Sequence, residues 1–170
     1  MIENYGGTAT EIKVYAGIKE NVATLGMCNS VKTIIIDSDC YNKIINNQYV
    51  DENEEDWAGI ILNEDLGYKT GWRGMQTFEN YNWLVSEYVN ITGFPSDWGY
   101  KLMQGYDKVM SADNQFLKYY VDTYRGQSGA PIVYNNYVIG VHTDGSKKWQ
   151  FNKGVTLNNK RFYGLLPYIN

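Results

Sequence analysis

The segment Gly126-Gln127-Ser128-Gly129-Ala130-Pro131 sets a serine between glycines. A nucleophilic hydroxyl has to stand exposed, beside backbone N–H groups aimed at the developing oxyanion. Glycines let a chain turn tightly enough to do both. A lone G-x-S-G is met more often in surface turns than at nucleophiles. Here VDTY precedes it and PIVYNNYVIGVHTDG follows, placing it between strand-like segments. The chain holds one histidine, His142, so this polypeptide alone cannot run a mechanism that needs two imidazoles. Asp56 closes an acidic cluster (Asp51, Glu52, Glu54, Glu55) and is followed at once by the apolar WAGIIL. Zinc sites take about four ligands, and Cys28, Cys40 and one distant His do not supply them. No metal site and no cofactor are expected, although the 51–56 acids suit either calcium or a solvated loop. The two cysteines are equally compatible with a bridge and with free thiols.

The elements that must position these residues are short. EIKVYAG (11–17), VKTIIID (31–37), WAGIIL (57–62), LVSEYVNITGF (84–94), YKLMQGYDKVMS (100–111) and FLKYYVDTY (116–124) read as strands by alternation and β-branching. WAGIIL reads as a buried strand. PIVYNNYVIGVHT (131–143) reads as a hairpin turning at Asn135-Asn136, and GVTLN (154–158) as a last strand. Residues 42–56 read as a polar loop and 63–75 as a Gly-rich connector. KRFYGLLPYI (160–169) reads as a short terminal helix broken at Pro167. No long amphipathic helix intervenes, which predicts an all-β barrel or sandwich.

Composition narrows the function. The 170 residues carry 15 Lys plus Arg against 19 Asp plus Glu, net −4. A nucleic-acid binder needs a basic face, so no nucleic-acid partner is expected. Hydrophobic residues at 44% and charged residues at 20% describe a globular chain. No apolar run is long enough for a membrane span, and no membrane partner is expected. MIENYGGTATEIKVY has neither a basic start nor an apolar core, so no signal peptide is expected in it.

GQSGAPIV followed by VIGVHTDG resembles the chymotrypsin-like serine peptidases, and within them the bacterial glutamyl endopeptidase, or V8-like, branch. In the same order, Asp56-Trp57-Ala58 and GYKTGW (67–72) resemble that branch's aspartate segment and connector. ITGFPSD (91–97) resembles the first strand of its second barrel, and FLKYYVDTYRGQSG the approach to the nucleophile. The resemblance covers about residues 10–169 and is loosest before Asp56. It implies a trypsin-like double β-barrel: 1–75 a partial N-terminal barrel, 76–170 a C-terminal barrel with nucleophile and S1 pocket. Ser128 would be the nucleophile, and the N–H groups of Gly126 and Ser128 the oxyanion hole. Asp56 would orient the catalytic histidine.

By the same resemblance His142, fourteen residues after Ser128, lines the S1 pocket with Thr123 and binds a substrate Glu or Asp carboxylate at P1. Partial protonation of His142 would assist, and Asp122 beside it would raise its pKa. In other branches an acid at the position of Asp122 draws Lys or Arg, so a basic P1 preference stays open.

The family's catalytic histidine precedes its aspartate, in a segment like T-x-x-H-C. No histidine precedes Asp56. The resemblance implies that the chain starts just after that segment, leaving the N-terminal barrel incomplete. Losing a triad histidine costs on the order of a millionfold in turnover. The polypeptide alone is therefore expected to be nearly inactive, with Lys118, Lys147 or Lys148 as unsupported substitutes for the base. Two other readings stand beside the endopeptidase: a pseudo-protease module that binds acidic side chains, and an unrelated β-sandwich in which GQSGAP is only a turn. Partners would be polypeptides with Glu or Asp at P1. Relatives are secreted, so a full-length parent is expected outside the cell.

Overall fold

The computed structural model describes residues 9, 11–19, 22–35, 42, 46, 56–99, 101–146 and 151–169, with backbone alone at 33–35 and 146. The chain divides into two compact units, Met1–Trp72 and Arg73–Asn170.

The first unit holds an antiparallel sheet of order β1-β2-β3: Lys13–Lys19, Val22–Ile35 and Ala58–Leu62. β2 is longer than the expected 31–37 strand, because Val22–Asn29 pair with β1 while Ser30–Ile35 pair with β3. The expected burial of WAGIIL is not met: β3 alternates exposed and half-buried residues. A three-stranded sheet has too little area to cover both of its faces. Cys28, inside β2, is a buried free thiol; Cys40 and 51–55 lie outside the described residues. A four-residue helix, α1 (Gly67–Thr70), interrupts the expected connector.

The second unit is a closed six-stranded antiparallel barrel. Its strands are β4 (Tyr88–Gly93), β5 (Met103–Ala112), β6 (Phe116–Tyr119), β7 (Pro131–Tyr134), β8 (Tyr137–Ser146) and β9 (Phe151–Thr156). Their order is β4-β5-β6-β9-β8-β7, and β7 pairs back onto β4. Closure removes the free edges that a sheet otherwise exposes.

Alternation places Val89, Ile91, Val109, Leu117, Tyr119, Ile132, Ile139 and Val155 inside, all essentially without solvent contact. Tyr81 joins them and donates its hydroxyl to the Leu157 carbonyl at 2.8 Å, so its polar tip is satisfied. The Asn135-Asn136 turn has φ of 45° and 69°, the left-handed pair of a type I′ hairpin.

Two expected strands are shorter than read. Leu84 closes a 3-10 turn (Asn82–Leu84), Val85 and Ser86 follow as a turn with Ser86 at φ 72°, and 120–124 lie outside the strands as an irregular loop. The terminal helix α2 (Asn159–Leu165) starts at Asn158, whose side chain accepts from the Arg161 N–H, and gives way to a 3-10 turn at Pro167.

Candidate active site

The nucleophile loop is held from two sides. Its glycines Gly126 and Gly129 sit at φ 101° and 90°, where a side chain is strained. Gln127 is buried beneath the loop, and its Oε1 accepts from the Tyr124 N–H at 2.8 Å. On the other side the Gly129 N–H donates to the His142 carbonyl and the His142 N–H to the Ala130 carbonyl, each at 2.8 Å. These bonds lash the loop to β8 and leave Ser128 exposed. Its Oγ donates to the Thr143 carbonyl at 3.1 Å. Among the described residues no backbone acceptor takes the N–H of Gly126 or Ser128.

Ser128 opens onto a cleft of about 650 Å³, which Thr123, His142, Asp122, Asp144 and Asn152 also line. One wall is the loop 120–124, laid against β5 where Gly105 has no side chain. A Cβ there would stand 2.6 Å from Val121 Cγ1 and 3.0 Å from the Asp122 carbonyl. Asn152 pins the same wall by donating to the Val121 carbonyl at 2.7 Å.

His142 is only 4% exposed, and its Nδ1 lies 2.7 Å from the hydroxyl of the fully buried Tyr119. Burial pushes the imidazole below its usual pKa, against weaker upward pulls from the Lys153 carbonyl and the Asp144 carboxylate. Burial also pushes the Tyr119 phenol up, so it stays protonated. The expected charge assistance is thereby corrected: desolvation outweighs the acids, and the acid acting on the ring is Asp144 rather than Asp122.

Thr123, Ser128 and His142 thus share one cleft, with Gly126 in the loop beside it. Asp56 belongs to the other unit, exposed and just ahead of β3. Lys118 Nζ stands over the Phe151 ring at 5.3 Å; Lys147 and Lys148 lie outside the described residues. Sequence reasoning missed Tyr119 and Asp144. Tyr119 was readable as a core-facing strand residue, two positions after Leu117, but nothing local tied it to His142.

With this geometry in view, the likeness to known proteins is informative. A solved Glu endopeptidase in complex with MPD superposes with a TM-score of 0.77 at 22% identity, over 93% of this chain and 71% of that one. A thermostable serine protease, AL20, from an extremophilic microorganism gives 0.67 at 11% identity, over 93% of this chain and 76% of that one.

The fold is that of the trypsin-like glutamyl endopeptidases.

An extracellular metalloprotease of Bacillus subtilis (strain 168) is 34% identical over 122 residues, 68% of this chain and 38% of that protein. The chain therefore spans well under half the length of that relative. No protein-family model matches the chain. The metal in that relative's name finds no fit among the described residues. Among the described residues no three His, Cys, Asp or Glu side chains gather closely enough to hold an ion, and Nδ1 of the lone imidazole meets a phenol. Among the described residues, too, no helix is long and apolar enough to cross a membrane.

Proposed function

We propose that this chain carries the nucleophile and the specificity pocket of a serine endopeptidase that hydrolyses peptide bonds after Glu or Asp. In this reading 76–170 form the C-terminal barrel of the protease and 1–75 part of the N-terminal one. The observation that carries it is the convergence of Ser128, Thr123 and His142 on one cleft within a trypsin-like barrel. Ser128 Oγ attacks the scissile carbonyl carbon and gives its proton to a general base. The oxyanion is held by the N–H groups of Gly126 and Ser128, free of other acceptors among the described residues. Collapse breaks the C–N bond, the base returns the proton to the leaving amine, and water then hydrolyses the Ser128 ester.

Asp56 is assigned to orient the imidazole base. His142 does not supply that base, because it is buried and its Nδ1 meets Tyr119. The base histidine must then come from outside this sequence, and turnover by the 170 residues alone is expected to fall on the order of a millionfold below a full triad. Substrates are polypeptides with acidic P1 residues. The extracellular naming of the Bacillus relative supports an extracellular parent.

One observation favours the second reading, a binding module without catalysis: the Ser128 hydroxyl donates to a carbonyl rather than to an imidazole. Peptide binding and a fluorophosphonate probe separate the two. The endopeptidase reading expects peptides ending in Glu to bind more tightly than those ending in Gln or Lys, together with slow labelling confined to Ser128. Binding without labelling supports the module. Preference for a Lys end, which Asp122 and Asp144 in the cleft would favour, overturns the acidic specificity.

A further inference from the structure

We propose that Tyr119 is a positioning residue that fixes the tautomer of His142, its hydroxyl donating to Nδ1 so that the ring proton sits on Nε2. The phenol hydrogen has no other acceptor among the described residues; Tyr119 is fully buried, and His142 is buried but for its edge on the cleft. A neutral imidazole carries one proton and offers one acceptor. If Nδ1 kept the proton, the phenol hydrogen would be buried without a partner, which costs the desolvation of that donor. On β9 the Lys153 carbonyl pulls the imidazole pKa upward, more weakly than burial lowers it, so the ring is neutral and its one proton has to be placed.

The charged groups around the ring act on its protonation as a whole and do not favour either nitrogen. On β8, Asp144 draws a proton toward the ring. On the loop 120–125, Asp122 and Arg125 line the same cleft with opposite charges. The side chains of Lys118 and Lys153 lie over Phe151 and Phe116.

The consequence rests on the acidic-substrate reading. A substrate carboxylate accepts and cannot donate, so the cleft is useful to it only when the nitrogen it meets bears hydrogen. With Nδ1 engaged from behind, Nε2 is the nitrogen left for the cleft. Tyr119 thereby supplies specificity through His142 without touching substrate.

Because His142 is the only histidine, its two ring nitrogens give unassigned-free ¹⁵N resonances in histidine-labelled protein. At neutral pH the wild-type chain is expected to show a bare Nδ1 and a protonated Nε2. Y119F keeps the ring that fills the core and deletes the donor; both nitrogens should then move toward averaged tautomer values. A wild-type proton on Nδ1, or resonances that Y119F leaves in place, would overturn the assignment, and the wild-type arm needs no variant to fold. In titrations, Y119F should weaken a Glu-ending peptide on the order of tenfold, about 1.4 kcal/mol, and leave a Gln-ending peptide unchanged. The expected tautomer in a chain that shows no Glu preference would uphold Tyr119's role and sink the acidic-substrate reading alone.

Discussion

In the sheet β1-β2-β3 the strands alternate as β-strands do, yet apolar side chains stay in solvent: Val31 is 64% exposed, and Val22, Leu25 and Ile60 are well exposed too. In the barrel β4–β9 the same alternation drives Leu117, Ile91 and Ile139 to complete burial. Local pattern is similar in both regions, and closure is what differs. A closed sheet gives each inward residue neighbours on all sides, whereas a short open one leaves them half-covered. Closure also permits something the sheet cannot support, a titratable pair such as Tyr119 and His142 held away from water and still hydrogen-bonded.

If that contrast is right, truncations to alanine in the two regions should differ in cost by more than the one carbon that separates them. Leu117→Ala should destabilise the barrel by about 2–5 kcal/mol, through lost transfer energy and an uncollapsed cavity. Val31→Ala should stay within about 0.5 kcal/mol, as exposed substitutions do. Amide exchange read separately on the strands of each region measures both. A costly Val31→Ala would mean that something covers the sheet in solution, and the comparison would fail.

A smaller effect follows from acid. His142 is held below the ordinary imidazole value of 6.5 by burial, so the unfolded chain binds more protons than the folded one. Barrel stability should therefore fall as pH drops below about 6.5, and level off once the folded imidazole itself protonates. His142→Gln should remove that segment of the pH profile and leave the carboxylate-driven loss at lower pH. An unchanged profile would show that the imidazole is not desolvated, and would weaken the contrast between the regions.

The unequal closure also explains what the sequence let one read. The hairpin at Asn135-Asn136, the loop at 125–131 and the inward phase of Leu117 and Tyr119 all follow from neighbours along the chain. Thr123, Ser128 and His142 were legible as cleft partners through a family resemblance, not through spacing. The Tyr119 to His142 bond depends on β6 and β8 both flanking β9, and no local pattern encodes strand order. The burial expected for WAGIIL failed for a related reason: an apolar strand states what it prefers to cover, not whether enough neighbours exist to cover it.

The smallest expected effect isolates turn chemistry from the rest of the barrel. Asn136 does two things: it adopts φ 69°, and its Oδ1 accepts from Arg73 Nη1 at 3.1 Å on the surface. N136A loses the hydrogen bond and the short polar side chain that lets asparagine tolerate the left-handed region, where an ordinary residue with a Cβ costs roughly 1–2 kcal/mol. N136G loses only the exposed hydrogen bond and gains the residue that type I′ turns favour at their second position. The barrel should therefore lose about 1 kcal/mol or more in N136A and stay within about 0.5 kcal/mol of the parent in N136G, as read by denaturant midpoints. Equal losses in the two variants would locate the restraint in the Arg73 contact. The hairpin's legibility would then owe nothing to backbone preference, and the barrel's advantage over the sheet would rest on closure alone.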